Sequence, residues 1–94
     1  MVGSMPLNDN SLVIALLKAL ANEQRFLIVK MLMKGERNVG EIESCLTLTQ
    51  SALSQHLARL RRDHIVHTRR HAQLIYYSLN KEKVASLIRY LDDL

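Results

Sequence analysis

Apolar positions along this chain follow two rhythms. From Leu12 to Leu20 nearly every position is apolar (Leu12, Val13, Ile14, Ala15, Leu16, Leu17, Ala19, Leu20), with Lys18 the exception. That pattern predicts a helix over 11–20 that is buried on more than one side. Asn22 is a good N-cap for a second helix, because its short side chain can accept from a free N–H of the first turn. Phe26, Leu27, Ile28, Met31 and Leu32 supply the apolar stripe of that helix, Arg25, Lys30 and Lys34 point outward, and Gly35 stops it. Asn38 with Glu41 three residues on reads as a capping box. It opens a short third helix with Val39, Ile42 and Leu46 on one side. Thr47, Leu48 and Thr49 form a three-residue turn, and Thr49 caps a fourth helix from Gln50 to Arg62.

The rhythm then changes. Ile65 to Arg69 and Leu74 to Leu79 are rich in Ile, Val, Thr and Tyr and roughly alternate, which predicts a two-stranded hairpin. Arg70, His71, Ala72 and Gln73 form its polar link. Lys81 to Leu94 returns to helical spacing, with Val84, Leu87, Ile88 and Leu91 on one stripe. The predicted fold class is therefore α+β, mostly α: four helices, a hairpin and a last helix. A chain of 94 residues has room for one domain, expected over 11–94 behind a tail at 1–10. Residues 1–4 read as a tag remnant, with Met5 the natural start.

Apolar residues make up 48% of the chain, enough for a small core, and a chain this short is expected to bury part of them against a second copy. The longest apolar run, Leu12 to Leu17, is far too short for a membrane span. A single cysteine, Cys45, allows no intrachain disulfide, so a reducing, cytoplasmic setting is the default.

Charge changes the picture most at the fourth helix. The chain carries a formal net charge of +4. Between Gln50 and Gln73 stand Arg59, Arg61, Arg62, Arg69 and Arg70 against Asp63 alone, so the whole excess falls in this quarter and the remainder is neutral. His56, His64, His67 and His71 fall there too. On a helical wheel at about 100° per residue, Leu53, Leu57 and Leu60 share a narrow buried arc. Ser51, Gln55, Ala58 and Arg62 lie opposite, Ser54 and Arg59 flank them, and His56 sits near the border with the core. Small side chains let a backbone approach another surface closely. Gln can pair bidentately with adenine, Ser can donate or accept, and Arg forks onto guanine or phosphate. A short helix, a turn and such a second helix make a helix-turn-helix, whose second helix enters the major groove of DNA. Candidate DNA contacts are Gln50, Ser51, Ser54, Gln55, His56, Arg59, Arg61 and Arg62 on the helix, with Arg69, Arg70, His71 and Gln73 at the tip of the hairpin.

Other chemistry is poorly supplied. No carboxylate pair, nucleophile with base, or phosphate-cradling glycine loop can be assembled, and the only glycines are Gly3, Gly35 and Gly40. An enzyme is not expected, nor a cofactor. His64, His67 and His71 straddle a strand and a turn and more simply add positive potential than bind metal, so no metal site is expected. Cys45 reads as a helix residue partly covered by its neighbours, Met31 and Met33 as core fillers. Tyr76 and Tyr77 should face opposite sides of their strand.

ALANEQRFLIVKML, NVGEI, LTQSALSQHLARLRRD and AQLIYYSL, in this order, resemble the winged-helix repressors of the ArsR/SmtB family. The wing and reading helix are similar to a branch that includes the HlyU, NolR and BigR regulators. The resemblance covers roughly residues 12 to 92. It implies a homodimer that binds an imperfect palindrome in promoter DNA, with the first and last helices at the interface. On that basis Leu12, Val13, Leu16, Leu17, Leu20, Leu87, Ile88 and Leu91 are expected at the dimer interface. It also implies where a sensor would lie, and the chain departs from each pattern. Residues 37–42 lack the cysteine pair of arsenic sensors. Lys81 and Lys83 stand where zinc sensors begin their ligands. Lys30 occupies the first cysteine position of the redox-responsive relatives, and the last helix has no cysteine. Neither a metal nor a small-molecule inducer is evident.

The leading reading is a sequence-specific, dimeric DNA-binding repressor on a palindromic promoter operator. The alternative is a winged-helix protein-interaction module without DNA. An apolar exposed face would suit that module better than this small, polar and cationic one.

Overall fold

The structure, a computed structural model, describes residues 10–93, apart from the side chains of residues 10 and 12. The elements run α1 (Asn10–Leu20), α2 (Glu23–Met33), β1 (Arg37–Asn38), α3 (Val39–Ser44), α4 (Gln50–Arg62), β2 (Val66–His71), β3 (Leu74–Leu79) and α5 (Lys81–Asp92). The order of four helices, hairpin and helix is as expected from the periodicity. Helix α1 starts at Asn10, one residue inside the expected tail. Residues 1–9, which hold the rest of that tail, lie outside the described residues.

The helix starts are made by the caps that the sequence announces. Asn22 Oδ1 accepts from the backbone N of Arg25 at 3.1 Å. At α3, Asn38 Oδ1 accepts from the N of Glu41 at 2.9 Å, and Glu41 Oε1 accepts from the N of Asn38 at 2.8 Å. Thr49 Oγ1 accepts from the N of Ala52 at 3.1 Å. Each bond satisfies an N–H that has no partner inside its own helix. Gly35 follows α2 with φ at +146°, a conformation that side chains with a Cβ rarely adopt.

Three connections differ from expectation. The turn between α3 and α4 spans residues 45–49, not three, because α3 stops at Ser44 and Cys45 caps it. The hairpin link is two residues, Ala72 and Gln73, not four. Strand β2 continues through Arg70 and His71, which pair with Ile75 and Leu74. Cross-strand hydrogen bonding extends the strand past the point where apolar alternation ends. Ala72 takes φ of +58° to make so tight a turn. The sheet also has a third strand: β1 pairs antiparallel with β3, Arg37 with Tyr77 and Asn38 with Tyr76, giving the order β1-β3-β2. A two-residue polar strand has no periodicity to reveal it.

One core joins the layers. Helix α1 contributes Leu16, Ala19 and Leu20, α2 contributes Ile28, Val29 and Leu32, and α3 contributes Ile42. Leu53, Leu57 and Leu60 of α4 meet Ile65, Val66, Tyr77 and Leu79 of the hairpin and Val84, Ala85 and Ile88 of α5. This corrects part of the expected dimer set. Leu16, Leu20 and Ile88 are already buried within one chain, Ile88 at 0% exposure, and belong to its core. Val13 and Leu17 remain exposed, joined by Ile14 and Tyr90, which the sequence reading did not select. Leu87 and Leu91 are half-buried; the Leu12 side chain lies outside the described residues.

Candidate nucleic-acid interface

Helix α4 is held from below by its three leucines, so the opposite side is fixed toward solvent. Gln50, Ser51, Ser54, Gln55, Ala58, Arg61 and Arg62 are all exposed. The small polar residues occupy the first turns and the arginines the last, as the wheel predicts. The cations there are not equivalent. Arg59 donates from Nε to Asp63 Oδ2 at 3.0 Å, while Arg62 Nε lies 3.6 Å from Asp63 Oδ1. Arg61 has no carboxylate within 4 Å among the described residues and carries its charge free.

The wing divides its two arginines between two faces. Side chains alternate along a strand, and the register places Val66–Leu79, Thr68–Tyr77 and Arg70–Ile75 on one face. Tyr77 and Leu79 are buried there, and Ile75 and Tyr77 help line a groove shared with Ser54, Ala58 and Arg61 of α4. Arg70 therefore extends the face that looks toward α4. Arg69 pairs with Tyr76 on the other face. Its Nε and Nη2 donate to the two carboxylate oxygens of Glu36 at 2.8 and 2.7 Å, and its guanidinium stacks 4.6 Å from the Tyr76 ring. The Glu36 carboxyl is held below the usual carboxylate range by that hydrogen bond, and Arg69 is raised in turn. Arg69, expected to clamp DNA from the wing tip, thus also ties the wing to the segment before β1. His71 and Gln73 are exposed at the tip.

His56 does not share the open face. It is half-buried, its Nδ1 3.4 Å from Nη1 of Arg25. Burial, and next the Arg25 charge, pull its pKa below the ordinary 6.5. Arg25 itself, expected to point outward, folds back over the end of α1. Its Nε donates to the carbonyl of Ala19 at 2.6 Å and its Nη2 to that of Lys18 at 3.3 Å. These are carbonyls that a helix end leaves unpaired. No local pattern marks this role, which requires three helices to meet.

Other candidates stay apart. Among the described residues no three His, Cys, Asp or Glu side chains cluster to hold a metal ion. Cys45 is exposed at the end of α3 rather than covered by its neighbours. Among the described residues no helix is long and apolar enough to cross a membrane.

Comparison with known proteins agrees with this geometry. The family model described as bacterial regulatory protein, arsR family, matches residues 22–68, from the cap of α2 into the wing. The chain is 53% identical over 78 residues to the transcriptional activator HlyU of Vibrio cholerae, covering 83% of this chain and 72% of that protein. It superposes on a solved HlyU structure from the same organism with a TM-score of 0.85 at 49% identity, over 93% of this chain and 94% of that one. The biofilm growth-associated repressor of Agrobacterium fabrum is 46% identical over 81% of this chain and 65% of its own length. A homodimeric winged helix-turn-helix DNA-binding domain from Mycobacterium bovis aligns with a TM-score of 0.83 at 30% identity, over 98% of this chain and 87% of that one. Helices, three-stranded wing sheet and relatives converge: this chain belongs to the bacterial arsR family of regulatory proteins and is a winged helix-turn-helix regulator of transcription, not an enzyme.

Proposed function

We propose that the chain acts as a homodimer that represses a promoter by occupying a palindromic operator, with one α4 in each of two successive major grooves about 34 Å apart. The observation that carries this reading is the exposed face of α4: Ser51, Ser54 and Gln55 at its start, free Arg61 at its end, and Arg70 extending the same side from the wing. Ser and Gln read base edges, and Arg61, Arg62 and Arg70 hold phosphates. The mechanism is steric exclusion of polymerase. Such work places the protein in the cytoplasm, with the chromosome.

The exposed apolar residues support pairing. Val13, Ile14 and Leu17 of α1 and Tyr90 of α5 leave apolar surface in water, and Leu87 and Leu91 of α5 are only half-buried. Covering such surface is favourable by roughly 25 cal/mol per Å². The similar domain from Mycobacterium bovis is described as homodimeric. HlyU is named an activator and the Agrobacterium fabrum relative a repressor. Operator position relative to the promoter therefore sets the direction of control, since the same contacts serve both.

Selection of bound duplexes from random DNA tests the reading. A two-fold symmetric consensus with half-sites one helical turn apart is expected. An asymmetric consensus would remove the palindromic dimer, and the absence of any enrichment or low-salt binding would remove DNA as the partner.

A further inference from the structure

A helix lying in a major groove has a phosphate backbone on each side of it. The groove is about 12 Å wide and a helix with its side chains is about 10–12 Å across, so both backbones come within reach. The wing, with Arg70 and Arg61, accounts for one side of α4. On the other side of α4 lies a shallow depression lined by Arg25, Gln55, His56, Ala58, Arg59 and Arg62. Gln55 and Arg62 belong to both the reading face and this depression, so a duplex seated on that face cannot avoid it. We propose that this depression is a phosphate seat: Arg25, with His56 and Arg62, holds the backbone opposite the wing. The proposal rests on DNA binding by α4 and adds residues from α2 and from the inner side of α4.

The charges facing His56 favour an anion there. From α2 comes Arg25, at 3.4 Å; from α4 itself come Arg59 and Arg62. Helix α1 presents the carbonyls of Lys18 and Ala19, which Arg25 already satisfies, and Lys18 itself adds a cation on the adjoining surface lined by Arg59 and Arg62. Asp63, which faces the same guanidinium groups, is engaged by Arg59 Nε at 3.0 Å and lies 3.6 Å from Arg62 Nε, and its charge also acts on Arg25. Three guanidinium groups thus oppose one carboxylate. Arg25 spends Nε and one Nη2 hydrogen on α1, and its Nη1 lies at the imidazole. Since five N–H groups are available to an arginine, donors remain for a phosphate oxygen. The α1 bonds fix the guanidinium in place, so little side-chain freedom is lost on binding.

A phosphate also changes the balance at His56. In the free protein burial, and next the Arg25 charge, oppose a positive charge on His56. A bound phosphate offsets the Arg25 charge and gives the imidazolium an anionic partner, so the imidazole takes up a proton as DNA binds. Affinity then rises as pH falls, by at most tenfold per pH unit for each seat.

The test measures binding of a random-sequence duplex by fluorescence anisotropy across a salt series, and again across about pH 8 to about pH 5.5. A phosphate seat needs no operator. Three variants are compared with the parent protein: Arg25→Gln, His56→Gln and, as a control on the wing side of α4, Arg61→Gln. Arg25→Gln is expected to reduce the slope of log K against log salt by about 0.9 per chain. His56→Gln keeps the α1 bonds and is expected to lower the pH dependence, leaving only what the exposed histidines contribute. If Arg25→Gln unfolds, the His56→Gln pH profile alone decides. Should the parent protein ignore the duplex at low salt, the DNA reading itself fails. Should Arg61→Gln flatten the salt slope while His56→Gln keeps the parent's pH profile, and folded Arg25→Gln its slope, the seat fails and the DNA reading stands.

Discussion

Arg69 and Arg70 are neighbours in sequence, yet the wing gives them different work, and their alanine variants should separate cleanly. Arg70 lies on the α4 side of the hairpin with no carboxylate within 4 Å among the described residues. Arg69 is held bidentately by Glu36 at 2.8 and 2.7 Å over the Tyr76 ring, on the opposite face. A cation that neutralises one phosphate contributes about 0.9 to the slope of log K against log salt, so two copies in a dimer contribute about 1.8. Between 50 and 200 mM salt, a fourfold change, that slope corresponds to roughly a tenfold change in affinity. Arg70→Ala should therefore bind more weakly at low salt and lose about tenfold less affinity across that interval than the parent. Arg69→Ala should change the slope by less than half as much, because its charge is already matched by Glu36. Its main effect should be a looser wing, seen as faster amide exchange in β1 and β2. Both are measured by anisotropy on a random duplex and on the selected operator, with exchange followed by mass spectrometry. Equal flattening of the salt slope by the two variants, with β1 exchange unchanged in Arg69→Ala, would refute the division of the two faces.

Other outcomes follow from the same geometry. Gln55→Ala should cost about 1–3 kcal/mol on the best site and relax base preference at one position per half-site, as read from repeated selection; an unaltered consensus would remove Gln55 from the reading set. Thr49→Ala removes the bond to the N of Ala52 and should lower stability by about 1 kcal/mol in a denaturant titration, with little effect on a base consensus once folded. Leu17→Glu places a charge on the exposed apolar side of α1 and should give a folded monomer by light scattering, with operator affinity reduced far more than random-duplex affinity per chain. His56 is lowered in the folded state, so the unfolded chain binds more protons. Stability of the free protein should therefore hold above about pH 6.5 and decline as pH falls toward the lowered value. The decline is measured as melting temperature against pH, and His56→Gln should reduce it.

Much of this molecule is written locally. Asn22, Asn38 with Glu41, and Thr49 need only the next three residues to cap a helix, so the chain alone announces where α2, α3 and α4 begin. Leu53, Leu57 and Leu60 need only the helical period to define a buried side, and that same period sets Ser51, Ser54 and Gln55 outward. What depends on distant partners was not legible. Strand β1 exists because β3 offers it a free edge, not because of its own two polar residues. Arg69 is paired with a carboxylate 33 residues away, and Arg25 is turned inward by two carbonyls of α1 and a histidine of α4. Leu16, Leu20 and Ile88 read like Val13 and Leu17 in the chain, and only packing assigns the first three to the core and leaves the others in water. Caps and periods are set by backbone geometry within a turn or two. Which cation stays free and which apolar side chain stays uncovered are set by atoms that meet only when the helices and the sheet close on each other.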